Sequence, residues 1–144
     1  MRGDIALLSR RLVAAAAFLA LERSTLGLSL GCYGVANGAA AALIAAAQAP
    51  GRFKAIVLRG GHVATASEAA ARVSAPTLLI VGGADLELRQ SNHEVYAQLL
   101  APKALLVVDG ATQIFERAEA LDQIARATAG WFERYLGGAP GIAA

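Results

Sequence analysis

The sequence predicts an α/β fold in which a four-stranded, mostly parallel sheet carries helices on both faces. Four short apolar runs alternate with longer segments of helix-forming residues, which is the order of repeated strand–helix–strand units. The run at residues 77–81, TLLIV, is apolar at nearly every position, as expected of a strand that is covered on both sides. A chain of 144 residues can bury an ordinary core, so we expect one domain over residues 1–144.

Local patterns predict the elements of the first half of the chain. A helix is predicted over residues 4–23, because Asp4 is a suitable N-cap and apolar residues recur at every third or fourth position. A part-alternating apolar run predicts a strand at 26–33. The small residues at 36–49 predict a helix that stops before a Pro-Gly pair, and the apolar run at 53–59 predicts the second strand.

The second half of the chain repeats this alternation. A short helix is predicted at residues 66–73, before the apolar strand at 77–81. The next helix is predicted at 89–100, although Ser91 and Asn92 could cap it later than its first residue. The last strand and a final amphipathic helix are predicted at residues 104–108 and 116–136.

Composition excludes several classes of function. The 13 basic and 11 acidic residues are interspersed and give a net charge of +2, so no nucleic-acid surface is predicted. The single cysteine, Cys32, rules out an internal disulfide and fits a reducing cytoplasm, and we expect an inert buried thiol there. No Cys/His cluster has zinc-ligand spacing, and we predict neither a metal nor another cofactor. The apolar run at residues 12–21 is too short to span a membrane and lacks a signal-peptide cleavage pattern.

The candidate site lies where the predicted strands end. Ligands of parallel α/β sheets bind beyond the carboxyl ends of the strands, so we expect any small-molecule ligand there. The pattern GVANG at residues 34–38 stands between a predicted strand and a predicted helix, which is the layout of a nucleophile elbow. Its central residue is Ala36, and a methyl group cannot attack a carbonyl.

A hydrolase with this layout needs an acid and a histidine on later loops. Asp85 follows the third predicted strand, where a carboxylate could orient an imidazole. The loop after the last predicted strand has Gln113 at the place expected for the histidine. Glutamine cannot act as a general base near neutral pH, because its amide has no useful pKa. Two of the three groups of the usual triad are therefore replaced.

Four segments together resemble the dienelactone hydrolase-like branch of the α/β hydrolases. The first two are the elbow with its alanine-rich helix at residues 34–43 and an Arg-Gly-Gly segment at 59–61. The third is the acid loop at 76–85, which matches the family pattern Pro-Thr-Leu-Leu-Ile-Val-Gly-Gly-x-Asp. The fourth, at 110–116, corresponds to the family segment Gly-Ala-Thr-His-Leu-Phe-Glu but has Gln-Ile in place of His-Leu. The resemblance implies a truncated single domain, the C-terminal half of an α/β-hydrolase fold. It also implies that Ala36 replaces the nucleophilic serine and Gln113 the histidine.

These replacements predict a non-catalytic or self-associating pseudo-hydrolase, and leave open whether the chain is an enzyme. The alternative is a hydrolase or lyase that acts on small esters or lactones through relocated groups such as His62 and Asp85. His62 follows the second predicted strand, where a half-exposed loop histidine is the simpler expectation; His93, on a predicted helix, is expected at the surface. A third possibility is a fragment or a variant altered to stabilise the half-fold.

The strand predicted at residues 26–33 is expected to have one unpaired edge. In the complete α/β-hydrolase fold the corresponding strand lies inside the sheet and pairs on both sides, which the resemblance implies is not the case here. A flat apolar edge invites pairing with another chain. We therefore predict a homodimer in which two 26–33 edges meet across a two-fold axis, with a domain swap as the variant.

Overall fold

A four-stranded parallel sheet forms the centre of the structure, a computed structural model that describes residues 4–111 and 117–137. Within those residues the strands lie side by side in chain order, and each neighbouring pair is parallel. The bounds are β1 Gly31–Val35, β2 Ala55–Arg59, β3 Thr77–Gly82 and β4 Lys103–Val108. The predicted α/β class and its parallel sheet are confirmed.

Helices alternate with these strands. The bounds are α1 Ile5–Leu21, α2 Asn37–Gln48, α3 Ser67–Ala70, α4 Leu86–Gln98 and α5 Ala118–Leu136. A 3₁₀ turn at Val63–Ala66 precedes α3. Helix α1 packs on α2, while α5 contacts β2 and β3. Among the described residues, no helix has the length and apolarity needed to cross a membrane.

The helices cover both faces of the sheet, as the sequence predicts. Ile56 and Leu58 pack in one apolar cluster with residues of α1, α2, α3 and α4. Val57 and Ile80 pack in a second cluster with α5, where Trp131 also donates its indole N–H to the carbonyl of Pro76 at 3.2 Å. Because successive side chains of a strand point to opposite faces, the two clusters lie on opposite sides of the sheet.

The first strand is shorter than predicted. The apolar run predicts a strand at residues 26–33, whereas β1 begins at Gly31. The preceding segment makes local turns instead: the N–H of Leu26 donates to the carbonyl of the α1 C-cap residue at 2.7 Å, and Gly27 has a φ of 85°. Backbone groups that hydrogen-bond within a local turn cannot also pair with a neighbouring strand, so apolar content alone overestimates the length of this strand.

The start of α4 also differs from the prediction at residues 89–100. The helix begins at Leu86, because the Asp85 carboxylate accepts the main-chain N–H three residues further on at 3.0 Å and caps the first turn. The alternative cap at Ser91 and Asn92 is wrong, since both residues are buried inside the helix.

Two other helices are shorter than predicted. The helix predicted at 4–23 ends at Leu21, since the next residue adopts an extended conformation. The segment predicted as one helix at 66–73 is divided between the 3₁₀ turn and α3, and α3 ends at Ala70. The final helix, predicted at 116–136, is confirmed as α5 from Ala118 onward.

Strand β1 lies at one end of the sheet. In the part of the chain that the structure describes, it pairs with β2 and with no other strand. Tyr33 and Val35 on this strand are 41% and 45% exposed. An edge position for this strand is therefore confirmed, over Gly31–Val35 instead of residues 26–33.

Candidate functional site

The turn between β1 and α2 has the backbone of a nucleophile elbow. Ala36 has φ 54° and ψ −122°, and no other non-glycine residue within 4–111 and 117–137 has a positive φ. Such a conformation costs a residue with a Cβ about 1–3 kcal/mol. Two main-chain hydrogen bonds hold it: Ala36 donates to the carbonyl of Arg59 at 3.2 Å and accepts from the N–H of Ala39 at 3.0 Å. The strained strand-to-helix reversal is therefore present.

Close packing around the elbow requires glycine at two positions. A Cβ on Gly34 would lie 2.5 Å from the carbonyl oxygen of Gly38, and a Cβ on Gly61 would lie 2.6 Å from the carbonyl oxygen of Ala36. Neither distance is sterically possible without a backbone shift. A Cβ on Gly38 would meet no atom within 4 Å. Of the two glycines in the elbow pattern, only Gly34 is therefore needed for close packing.

The side chain at the elbow cannot perform nucleophilic chemistry. Ala36 is exposed, so its methyl group faces solvent at the point where strand and helix meet. A methyl group neither donates nor accepts a hydrogen bond, and it forms no covalent intermediate with an acyl group. The elbow thus combines the backbone of a catalytic turn with an inert side chain.

The loops after β3 and β4 lie against each other. The N–H of Gly83 donates to the carbonyl of Val108 at 2.8 Å, and the N–H of Ala84 donates to the carbonyl of Ala111 at 3.0 Å. These bonds place the acid loop beside the segment that leads towards Gln113. Gln113 itself lies outside the described residues.

Asp85 follows β3, at the position predicted for the acid. The residue is half-buried, and its carboxylate oxygen Oδ1 accepts the N–H of Leu88 at 3.0 Å. This bond caps α4, and a carboxylate at a helix N-terminus is also favoured by the helix dipole. Asp85 therefore stabilises α4 whether or not it has another role.

His62 follows β2 and is exposed. Its carbonyl accepts the hydroxyl of Thr65 at 3.2 Å, and its side chain lines a cavity of about 300 Å³ with residues of α4, among them Glu87 and Ser91. No hydrogen bond or ion pair of the described residues joins the imidazole to Asp85. Within these same residues, no three His, Cys, Asp or Glu side chains are grouped so as to hold a metal ion.

Ser91 and Asn92 hold the loop after β2 in place. The sequence suggests that they cap a helix, which they do not. The Asn92 amide donates to the carbonyls of Gly61 and Leu88 at 3.1 and 2.8 Å, and Ser91 accepts the N–H of Ala64 at 2.9 Å. Both residues are buried. Helical spacing could have identified Asn92, because it lies four residues after the buried Leu88 on the same face.

The remaining candidates have structural environments. Cys32 on β1 is buried, and desolvation by this burial raises the pKa of its thiol. The thiolate is the reactive form, so a raised pKa makes Cys32 a poor nucleophile. His93 on α4 is exposed, as expected.

Solved structures of α/β hydrolases share this fold. The dienelactone hydrolase of Anabaena variabilis has a TM-score of 0.91 and 41% sequence identity, over 94% of this chain and 63% of that one. A dienelactone hydrolase-like promiscuous phosphotriesterase from metagenomic libraries has a TM-score of 0.76 at 21% identity, over 94% and 64%. The monoacylglycerol lipase of Paleococcus ferrophilus has a TM-score of 0.77 at 15% identity, over 93% and 77%. The last two show the fold alone.

Two Mycobacterium tuberculosis proteins are 41% identical to this chain over 135 residues, which is 94% of the chain. Both carry the provisional name phosphoribosyl transferase, and the chain spans 30% of their length. No protein-family model matches the chain. The predicted likeness to dienelactone hydrolases is confirmed, and the four described strands with their helices are consistent with half of an α/β-hydrolase fold.

Proposed function

We propose that this chain, which resembles dienelactone hydrolases in sequence and fold, is a non-catalytic, self-associating pseudo-hydrolase formed by one domain over residues 1–144. The observation that carries the proposal is the exposed methyl of Ala36 at the strained elbow. Acyl transfer on this fold requires a nucleophile at that turn and a base that takes its proton. Ala36 provides no nucleophile, and Gln113 provides no base near neutral pH.

The surviving acid supports the same proposal. In a triad, the carboxylate orients a histidine and stabilises the imidazolium. Here the Asp85 carboxylate accepts a main-chain N–H and caps α4, which is sufficient reason for an acid at this position. The strained backbone at Ala36 and the glycines at positions 34 and 61 then have a structural role, because they allow α2 to pack closely on the sheet.

The alternative is a hydrolase or lyase of small esters or lactones that uses His62 and Asp85. The observation in its favour is the cavity of about 300 Å³ that His62 lines near the carboxyl ends of the strands, where a small-molecule ligand is expected. A relocated pair would need the exposed imidazole to turn towards the carboxylate.

Ester turnover distinguishes the two functions. We expect the 144-residue chain to hydrolyse a p-nitrophenyl ester and a five-membered lactone no faster than buffer, and the His62→Ala and His93→Ala variants to behave identically. His93 is a matched control, because it is also an exposed histidine and lies on α4. Saturable turnover that His62→Ala abolishes and His93→Ala retains would establish the alternative.

Self-association through β1 is the second part of the proposal. The strand lies at the end of the described sheet, and Tyr33 and Val35 on it are exposed. Pairing of two such edges about a two-fold axis would be antiparallel and would form a continuous sheet. In this proposal the pairing segment is β1, Gly31–Val35, in place of residues 26–33.

Light scattering at micromolar concentration tests this dimer. We expect the unaltered chain to have twice the monomer mass and Val35→Lys to be monomeric, because a charged lysine on an edge strand opposes pairing with another strand. Leu86→Lys is the control, since Leu86 is 73% exposed and lies on α4, away from β1. A monomeric unaltered chain, or a dimer that both variants retain, would contradict the proposal.

Neither the proposed cellular location nor the name of the mycobacterial relatives changes the proposed function. A cytoplasmic location is supported by the single cysteine, whose thiol is buried. The chain spans 30% of the proteins named for phosphoribosyl transfer, so that reaction can belong to the rest of their length. We therefore assign no phosphoribosyl transfer to this chain.

A further inference from the structure

A cavity lies at the end of the sheet opposite the elbow. It has a volume of about 290 Å³ and is formed by α1, the connection to β1 and the loop before β2. The main-chain N–H of Lys54 donates to the carbonyl of Leu30 at 2.8 Å, which joins the two segments just before their strands begin. The cavity is therefore at the amino ends of β1 and β2, away from the loops that carry Ala36 and Asp85.

Short-range hydrogen bonds fix the walls of this cavity. The hydroxyl of Thr25 donates to the carbonyl of Leu19 at 2.6 Å, and the N–H of Leu28 donates to the carbonyl of Thr25 at 3.0 Å. These bonds hold the connection against the last turns of α1. The cavity is thus preformed, as binding sites for small molecules usually are.

The lining of the cavity is apolar with two cations. Leu19, Ala20 and Leu28 supply apolar surface, while Arg52 and Lys54 supply positive charge. Within residues 4–111 and 117–137, neither cationic side chain has an ion pair or a hydrogen bond to an acid. Among the residues that the structure describes, no Asp or Glu lines the cavity. A compact cavity with apolar walls and two cations is complementary to an anion that carries an apolar tail.

Exposed apolar side chains extend this surface. Leu28, which lines the cavity, is 64% exposed, and Leu26 beside it is also 64% exposed. Large apolar side chains that cluster along one stretch of chain next to a cavity indicate a binding surface more than isolated exposed leucines do.

We propose that this cavity binds an amphipathic anion, namely a short alkyl chain that ends in a carboxylate or phosphate group. Arg52 and Lys54 bind the anionic group, and the chain lies against Leu19, Ala20 and Leu28. The site requires no chemistry from the elbow, so it is independent of whether the chain is catalytic.

Calorimetric titration with octanoate tests the site. We expect saturable 1:1 binding that weakens about tenfold for hexanoate, because each methylene removed from the cavity forfeits apolar burial. The double variant Arg52→Gln/Lys54→Gln should weaken octanoate binding at least roughly tenfold while leaving binding of 1-octanol unchanged. The matched control is Arg10→Gln/Arg72→Gln, which removes the same charge from two exposed residues outside the cavity.

Two more titrations identify the anionic group and locate the bound alkyl chain. Tighter binding of octyl phosphate than of octanoate would assign a phosphate group, and the reverse order a carboxylate. Ala20→Phe, which places a ring in the cavity, should abolish binding of both. Equal octanoate affinity for the Arg52→Gln/Lys54→Gln variant and its control, no effect of Ala20→Phe, or binding to anionic phosphatidylglycerol vesicles without binding of the free amphiphiles would overturn the proposal.

Discussion

Replacing the elbow alanine by glycine should stabilise the protein. Ala36 has a φ of 54° and an exposed methyl group, so Ala36→Gly removes backbone strain of about 1–3 kcal/mol without loss of buried apolar surface. Glycine loses about 0.5–1 kcal/mol more conformational entropy on folding than alanine does. The free energy of unfolding should therefore rise by about 1 kcal/mol, which corresponds to a melting temperature higher by about 2–4 °C for a chain of this size.

Urea and thermal unfolding followed by circular dichroism measure this change. Ala14→Gly is the matched control, because Ala14 is an exposed alanine in the interior of α1. Glycine at an exposed helical position costs about 1 kcal/mol, so the control should change stability in the opposite direction. If Ala36→Gly destabilises the protein as much as Ala14→Gly does, the elbow is not strained and the reasoning is refuted.

Three further predictions concern residues around the site. Gly34→Ala should destabilise the protein by about 3 kcal/mol, since its Cβ would lie 2.5 Å from a carbonyl oxygen, whereas Gly38→Ala should be neutral or mildly stabilising in urea unfolding. Asp85→Ala should cost about 1 kcal/mol through loss of the α4 cap, and Asp85→Asn, which keeps the acceptor, much less; equal losses would point to a role of the charge. Because burial raises the pKa of the Cys32 thiol, an aromatic disulfide reagent at pH 8 should label the native chain more slowly than the urea-unfolded chain, and equal rates would contradict its burial.

The sequence predicts the centre of the sheet better than its edge. The apolar run at residues 77–81 predicts β3 to within one residue, because a strand covered on both faces needs apolar side chains at every position. The apolar run at 26–33 predicts a strand just as clearly. Its first residues instead form a turn after α1, in which Gly27 has a positive φ and the backbone N–H groups are hydrogen-bonded within the turn. Apolar content cannot distinguish a paired strand from an extended connection, so the start of β1 is predicted five residues too early.

The site shows a similar division. The elbow pattern predicts the strand-to-helix reversal at residues 34–38, and the structure has it, with a positive φ at Ala36. The pattern does not reveal that Gly61, from a different loop, packs against the carbonyl of the elbow residue. Nor does it show Asn92 bonded to the Gly61 carbonyl, since that contact joins residues 31 positions apart. Long-range contacts of this kind follow from the fold and not from local pattern.

Intact-mass spectrometry after incubation with a fluorophosphonate measures whether the folded chain carries an activated hydroxyl nucleophile. Such reagents form a stable phosphonyl bond with an activated hydroxyl nucleophile. We expect an unchanged mass for the 144-residue chain, because Ala36 has no atom that can attack phosphorus. One phosphonyl group per native chain, lost when the chain is unfolded before labelling, would show an activated nucleophile elsewhere in the chain and contradict the proposal of a non-catalytic protein.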